Sequence, residues 1–497
     1  MNFRRHELNF VLLASLLWSG LSAVARSAAP ADPPLARLHW LGLNQISADT
    51  NSAQFMRVWQ LPPTTALVNQ TLDKLSRWPG GGVTNPASAL LRPLLDDLLT
   101  SEFYLEVYGS TNLPLATRHS SLVLAVRLAP DRARLWQTNL PAALPGFHVE
   151  FSKTRDWTII ALGSFPSAIS HLPSSNSGPW LELDLPPQFW SLATGHSPLA
   201  ILDPLSSLTN LAVQVSCASG ELLTHATCDF SHPLPLTLPP WEIPVNFIHA
   251  PLTSFTAVRG FASWLAMVPV WKDLQLDPVP DQAFVWSQVQ AGGPFVTYFA
   301  APLPGASNQL TQLAGRLVPK VNPWLATNGQ GSFQWQTNAA TLVWSDMLII
   351  DPFLKASNVG HRDYLLGGLI PYPEGNPIPP PAEILNACLR TTNLVYFQSE
   401  LTGTRLDDDF FILQLFRLAF HKPQLPAHAA ATGWLKSIEG LVGASTTTLT
   451  QTSPQQLTLK RRSTVGLTAL ELHLLADWLE SPQFPAGLHT FLAPAEQ

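Results

Sequence analysis

Charge is what this 497-residue chain has least of: Asp, Glu, Lys and Arg together make up 12% of it, against roughly a quarter in an ordinary soluble domain. The formal net charge is −6 and the pI near 6.1. Without a basic stripe, the chain lacks the electrostatic footprint of a nucleic-acid binder. Its polar surface must come from Ser, Thr, Asn and Gln.

Cysteine is nearly as scarce. Cys217, Cys228 and Cys388 are the whole set, which excludes a disulfide-dense scaffold and leaves at least one thiol unpaired within the chain. A two-residue turn at Ser219-Gly220 sets Cys217 opposite Leu222 and Cys228 opposite Leu211. The two sulfurs then stand roughly 20 Å apart along the strands, which argues against a bridge.

Long apolar runs are missing beyond the first 29 residues. Phe261–Trp271 is too short to span a bilayer and contains Pro269. Catalytic signatures are missing too: there is no G-x-S-x-G, H-E-x-x-H or Rossmann fingerprint, and Gly80-Gly81-Gly82 has no Lys-Ser/Thr behind it. A triad assembled from distant positions would leave no such trace.

What is present starts with an export signal. Arg4 and Arg5 precede the apolar stretch Phe10–Ala23, and Ala23-Val24-Ala25 has the small-x-small form of a cleavage site. Cleavage is expected after Ala25, with retention as an anchor helix the alternative. The chain is therefore expected in the periplasm, the envelope or outside the cell, with no transmembrane segment after the signal.

Residues 30–101 read as an N-terminal helical segment. Asn51 and then Thr64 or Thr65 are helix starts, and a third helix beginning at Asn85-Pro86 carries Pro93 inside it. From Glu102 the pattern turns to alternation: Phe103–Tyr108, Ser121–Leu128, the hairpin Phe147–Phe151/Trp157–Leu162, Trp180–Leu185, and the pair Leu211–Ser216/Leu222–Phe230. Pro130–Leu140 reads as a helix between them.

A similar series returns later. Pro198–Leu223 aligns without a gap on Pro381–Leu406, sharing among others Ile201/Ile384, Thr209/Thr392, Asn210/Asn393, Leu211/Leu394 and Gly220/Gly403. On this alignment Ser332–Gln336/Thr341–Ser345 repeats the first hairpin, Tyr364–Ile370 repeats Trp180–Leu185, and Leu406–Leu415 is a strand. The fold class expected is α+β: two internally duplicated units, 102–282 with a Pro-rich linking stretch and 283–497 with a C-terminal capping helix. Each is an antiparallel sheet with helices packed on one side. Thr468 with Glu471 forms a capping box for that last helix.

The residues shared by the aligned stretches are apolar, turn-forming or capping, so chemistry is sought where the units differ or meet. Cys217, His225, Cys228 and His232 form the densest group of metal-ligating types. On a strand, however, His225 and Cys228 face opposite ways, so no metal or other cofactor is expected. Asp407-Asp408-Asp409 lacks the alternate spacing of a calcium loop, and Lys460-Arg461-Arg462 reads as a solvated strand end. Glu182 and Asp184 share one strand face at a spacing suited to acid/base work if that face lines a cleft.

The reading favoured by export, duplication and low charge is a non-enzymatic binding or scaffold module of the bacterial envelope, holding an apolar or polymeric ligand between its units. The alternatives are an exported hydrolase with a dispersed site and a self-associating structural component.

Overall fold

The computed structural model describes residues 34–77, 87–109, 120–163, 178–187, 207–267, 274–289, 296–347, 350–370, 378–419 and 428–481, with Leu172, Phe189, Trp271, Phe484 and Pro485. The export signal, Gly80-Gly81-Gly82 and the first part of the aligned stretch Pro198–Leu223 lie outside them.

In chain order, the first half comprises β1 (Ala36–Trp40), α1 (Leu43–Ala48), α2 (Ala53–Trp59), α3 (Pro62–Arg77), α4 (Ala87–Thr100), β2 (Phe103–Gly109), β3 (Ser120–Arg127) and α5 (Pro130–Ala143). Then come β4 (Val149–Thr154), β5 (Trp157–Leu162), β6 (Leu181–Leu185), β7 (Leu208–Ala218) and β8 (Glu221–Phe230). The second half comprises β9 (Leu252–Arg259), α6 (Ala262–Leu265), β10 (Gln282–Gln288), β11 (Thr297–Pro302), α7 (Ala306–Thr327), β12 (Ser332–Gln336), β13 (Thr341–Ser345), β14 (Phe353–Val359) and β15 (Arg362–Gly368). It ends with α8 (Ala382–Leu389), β16 (Leu394–Leu401), α9 (Thr402–Ala419), α10 (Ala430–Ile438), β17 (Ala444–Ser453), β18 (Gln456–Ser463) and α11 (Ala469–Glu480).

All 18 strands form one antiparallel sheet, so the protein is mixed α+β. In space the first half runs β4-β5-β3-β2-β1-β6-β7-β8. The second half runs β12-β13-β14-β15-β11-β10-β9-β16-β17-β18. The halves join edge to edge where β8 pairs with β18, His225 directly opposite Lys460. The β7–β8 turn is the one expected: Ser219 (φ 53°) and Gly220 (φ 82°) both take the left-handed conformation that a two-residue hairpin demands.

Because side chains alternate along a strand, the pairings define two faces. On face one of the first half, Leu38, Leu105, Leu124 and Ile160 pack beneath Leu94 of α4 and Trp136 and Leu140 of α5. On face one of the second half, Leu365, Leu354 and Ala356 pack beneath Leu310 and Leu313 of α7. Helices from both halves meet in a further cluster containing Val58, Leu67, Leu406, Trp434, Ile438 and Leu472. Its last helix opens with the expected box: Thr468 accepts from the Glu471 N–H, and the Glu471 side chain accepts from the Thr468 N–H.

Four expectations are corrected. Leu406–Leu415 is not a strand but part of α9; its apolar run FFILQLF has no decisive period, and the i,i+3 and i,i+4 pairs from Arg405 to Asp408 and Asp409 fit a helix. Tyr364–Ile370 does not take the place of Trp180–Leu185. It lies largely in β15, beside β11, where the first half has β5 beside β3; the place of β6 is held by β16. The stretch 30–101 is not purely helical, because β1 fills the gap between β2 and β6. Helices do not keep to one side: in α8, Cys388, Ile384 and Leu385 pack with Phe397, Trp286 and Leu366, on the face opposite α7.

Candidate functional site

One row of side chains crosses fourteen of the 18 strands on face two. Read from strand to strand it is Ile159, Ala125, Tyr104, His39, Glu182, Gln214, His225, Lys460, Thr448, Phe397, Ala257, Phe284, Ala300, Leu366. Its second-half end is apolar and closed. Phe284, Trp286, Phe255 and Ala257 are fully buried there, beneath Trp241, Ile248 and α8. Its centre is bare. The exposed residues within β7, β8 and β18 are Gln214, Ala218, His225, Lys460 and Arg462, all at alternate positions that share face two. Thr446, Thr448 and Thr450 of β17 continue this floor. Four strands spaced about 4.8 Å apart make it roughly 15 Å across.

The first-half end of the row is buried but ionic. Apolar Leu38 turns to face one, so Arg37 and His39 point to face two. His39 is 5% exposed, its ring stacked on Tyr104 at 4.1 Å and 9°. Its Nε2 lies 3.2 Å from Glu102, which also accepts from Gln45 (2.9 Å) and pairs with Arg127 (3.0 Å). Arg127 in turn covers the Trp157 ring at 4.8 Å. Burial works against a charge on Glu102, yet the bonds from His39 and Gln45 and the Arg127 charge outweigh it and hold its carboxyl below the usual range. An ionised carboxylate can only accept, so His39 Nε2 is the donor to Glu102. Nδ1 makes no hydrogen bond and stands 3.6 Å from Glu182 Oε2.

Glu182 and Asp184 stand where this buried network meets the floor, 39% and 38% exposed. Gln214 of the floor donates to Glu182 at 3.1 Å. Arg37 lies 3.6 Å from Asp184 and 3.4 Å from Glu106, and the Tyr108 hydroxyl donates to Glu106 at 2.6 Å. Burial, then the neighbouring carboxylates, push the Tyr104 and Tyr108 hydroxyls upward.

A second polar group lies on face one, under α9 and α11. Tyr396 donates to Gln398, which donates to Glu400; Glu400 also accepts from Thr402 and from the Ala469 N–H that begins α11. Arg405 pairs with Asp409, and Arg417 with Asp477. Burial pushes the Asp409 carboxyl up to about 6 against the pull of Arg405. Burial also pushes His473 down to about 4, although its Nε2 meets the Leu406 carbonyl at 2.8 Å. Each member answers another, which marks this group as part of the helix packing.

The metal-ligating types are dispersed. Cys217 pairs with Leu222 and Cys228 with Leu211, as the turn required; His225 faces the other way from Cys228, and His232 is exposed beyond the end of β8. All three cysteines are free thiols. Burial raises Cys217 to about 11 and Cys388 to about 12, so neither is a ready thiolate. Among the described residues no three His, Cys, Asp or Glu side chains converge as metal ligands. Asp408 and Asp409 serve Arg405 inside α9. In the basic cluster Arg461 turns inward to Glu471 (2.6 Å), while Lys460 and Arg462 face the floor.

His39, Glu102 and Arg127 were not singled out by sequence. The alternation Glu102-x-Tyr104-x-Glu106-x-Tyr108 was a signal that both faces of β2 are occupied. The 63 positions between His39 and Glu102 hid their meeting. No family model matches the chain, and neither a curated protein nor a solved structure resembles it. No helix among the described residues is long and apolar enough to cross a membrane.

Proposed function

We propose that this is an exported binding module of the bacterial envelope, made of two copies of one α+β unit, whose ligand is a neutral, hydroxyl-rich polymer laid across β7, β8, β18 and β17. The observation that carries the reading is the bare polar floor at the junction, between two halves whose face two is covered. Matching strand orders on either side of the β8–β18 pair support duplication; the extra hairpin β12–β13 is an addition to the second copy. The row Glu182, Gln214, His225, Lys460, Thr448 offers carboxylate, amide, imidazole, ammonium and hydroxyl groups. Such an array hydrogen-bonds hydroxyls. It is too polar for a lipid and too sparsely charged for a polyanion, so the polymeric ligand is preferred over the apolar one.

The test is affinity electrophoresis and calorimetry with soluble mixed-linkage β-glucan, glucomannan and dextran. His225→Ala with Lys460→Ala should weaken binding at least tenfold and leave the fold unchanged. Equal binding by that double variant, or binding to none of the three polymers, overturns the reading. A second reading, self-association, is favoured by the exposed Phe411, Leu418, Leu470 and Leu474 of α9 and α11; a concentration-independent monomer in sedimentation would discard it.

A further inference from the structure

A sheet that does not close leaves two edge strands, each with backbone N–H and C=O groups turned outward. Here the edges are β12 and β4, which among the described strands pair only with β13 and β5. The two are finished differently. At β12 the Asn322 side chain of α7 takes both outward groups of Phe333. Its Nδ2 donates to the Phe333 carbonyl at 2.9 Å, and its Oδ1 accepts from the Phe333 N–H at 2.7 Å. A side chain of α7 thus holds the place of a further strand. At β4 the Gly163 N–H donates to the His148 carbonyl at 3.1 Å, which fixes the phase of the ladder. His148, Glu150 and Ser152 bond inward to β5, so Val149, Phe151 and Lys153 turn their backbone groups outward. Among the described residues no strand or side chain takes those groups. Val149 and Phe151 are half-buried against the core under α5, while Glu150, Ser152, Lys153 and Thr154 are exposed.

We propose that the protein forms a two-fold dimer in which β4 pairs antiparallel with β4 of a second copy and continues the sheet. A two-fold axis normal to the sheet keeps every residue on its own face, so the register must centre on a residue. With Val149, Phe151 and Lys153 turned outward, it centres on Phe151. Phe151 then stands opposite the partner's Phe151, and Val149 and Lys153 stand opposite each other on both sides of the axis. Each of these pairs exchanges two N–H···O bonds, so every outward group is used. The two half-buried Phe151 rings meet, and Val149 gains the aliphatic stem of the partner's Lys153. An edge lysine discourages pairing with arbitrary strands; in this register Lys153 falls at the end of the contact, with its ammonium in water. The β12 edge decides the symmetry. A head-to-tail contact of β4 on β12 would propagate into a fibre, and Asn322 closes that route. The contact of β4 on β4 uses the same surface twice and stops at two copies.

The test is analytical ultracentrifugation of the protein up to about 100 µM, followed by site-directed linking. Wild type should double in mass across the concentration series. Lys153→Pro removes an outward N–H and spares the ladder to β5. It should raise the dimer dissociation constant at least tenfold while keeping the wild-type circular dichroism and melting temperature. Val149→Cys and Lys153→Cys proteins, mixed in equal amounts and mildly oxidised, should give a disulfide-linked dimer, because opposite Cα atoms in this register stand about 5.5 Å apart. Either protein alone should link no faster than wild type, whose three free thiols set the background, since like positions are at least about 13 Å apart. A monomer at every concentration overturns the proposal. A dimer that Lys153→Pro leaves untouched, or linking as fast in the separate proteins as in the mixture, assigns self-association to another surface and overturns it too. Should Lys153→Pro fail to fold, the mixed linking decides by itself.

Discussion

Stepping outward from the β8–β18 pair, the two halves of the molecule place different chemistry at matching points of one row. Glu182 has Phe397 as its counterpart, His39 has Ala257, and Tyr104 has Phe284. The strand order around these positions is the same, and both ends of the row are buried. In the second half burial is apolar and needs nothing beyond close packing. In the first half, burial of Glu102 and His39 needs a complete set of partners, since a lone charge in that place would be strongly unfavourable. One strand order thus accommodates two kinds of buried face, and the ionic one is the one that borders the open floor.

The comparison can be broken first at its apolar end. Trp286→Ala removes a fully buried ring and should lower stability by about 4 kcal/mol. A urea-denaturation loss below about 1 kcal/mol would mean that the second-half face is not a packed core. At the ionic end, Glu102→Ala leaves His39, Gln45 and Arg127 without their acceptor and should cost about 3 kcal/mol at neutral pH. The carboxyl of Glu102 is held below its ordinary value in the folded state. Its contribution is therefore present above the unfolded value of about 4.3 and is lost as pH falls below it. The difference between wild type and Glu102→Gln should shrink on acidification, and a difference that stays constant would show that Glu102 is not ionised.

The face-one group offers a smaller effect with an internal contrast. His473 is depressed from 6.5 to about 4, so its contribution is complete above 6.5 and is lost as pH falls through 4. Asp409 is raised from 3.8 to about 6, so its contribution is complete below 3.8 and is lost as pH rises through 6. The two oppose each other between these limits. Relative to wild type, Asp409→Asn should lose more stability between pH 6.5 and 4, and His473→Gln less, each by on the order of 2 kcal/mol. Denaturation midpoints that shift in parallel for both variants would refute this. Thr468→Ala removes the cap of α11 and should cost about 1 kcal/mol, seen as a lower melting temperature. Lys460→Ala, on the bare floor, should change stability by less than about 0.5 kcal/mol while weakening polymer binding; a large stability loss would mean that the floor is covered.

Much of the strand pattern was legible because alternation is local. β12 and β13 match the expected spans, and the Ser219-Gly220 turn and the Thr468 capping box were read from a few neighbouring residues. The aligned stretches do not hold matching places in the sheet. The alignment of Pro198–Leu223 with Pro381–Leu406 set the β7–β8 hairpin against β16 and α9. It was drawn without β1, β9 and β14, strands whose partners are distant in sequence. At the margin of the floor, Glu182 and Asp184 were visible as a same-face pair. Their partners were not, because His39 and Arg37 arrive on a strand that lies between β2 and β6 only after folding.

The sequence by itself determined the low charge, the local elements, the hairpin turn and the opposite orientation of His225 and Cys228, since each depends on composition or on residues a few positions apart. Tertiary structure alone decided that FFILQLF is helical and that the halves join through β8 and β18. It alone decided, too, that one face carries an ionic network at one end and an aromatic core at the other. The reason is physical: strand alternation says which residues share a side, but only long-range pairing says what stands across from them.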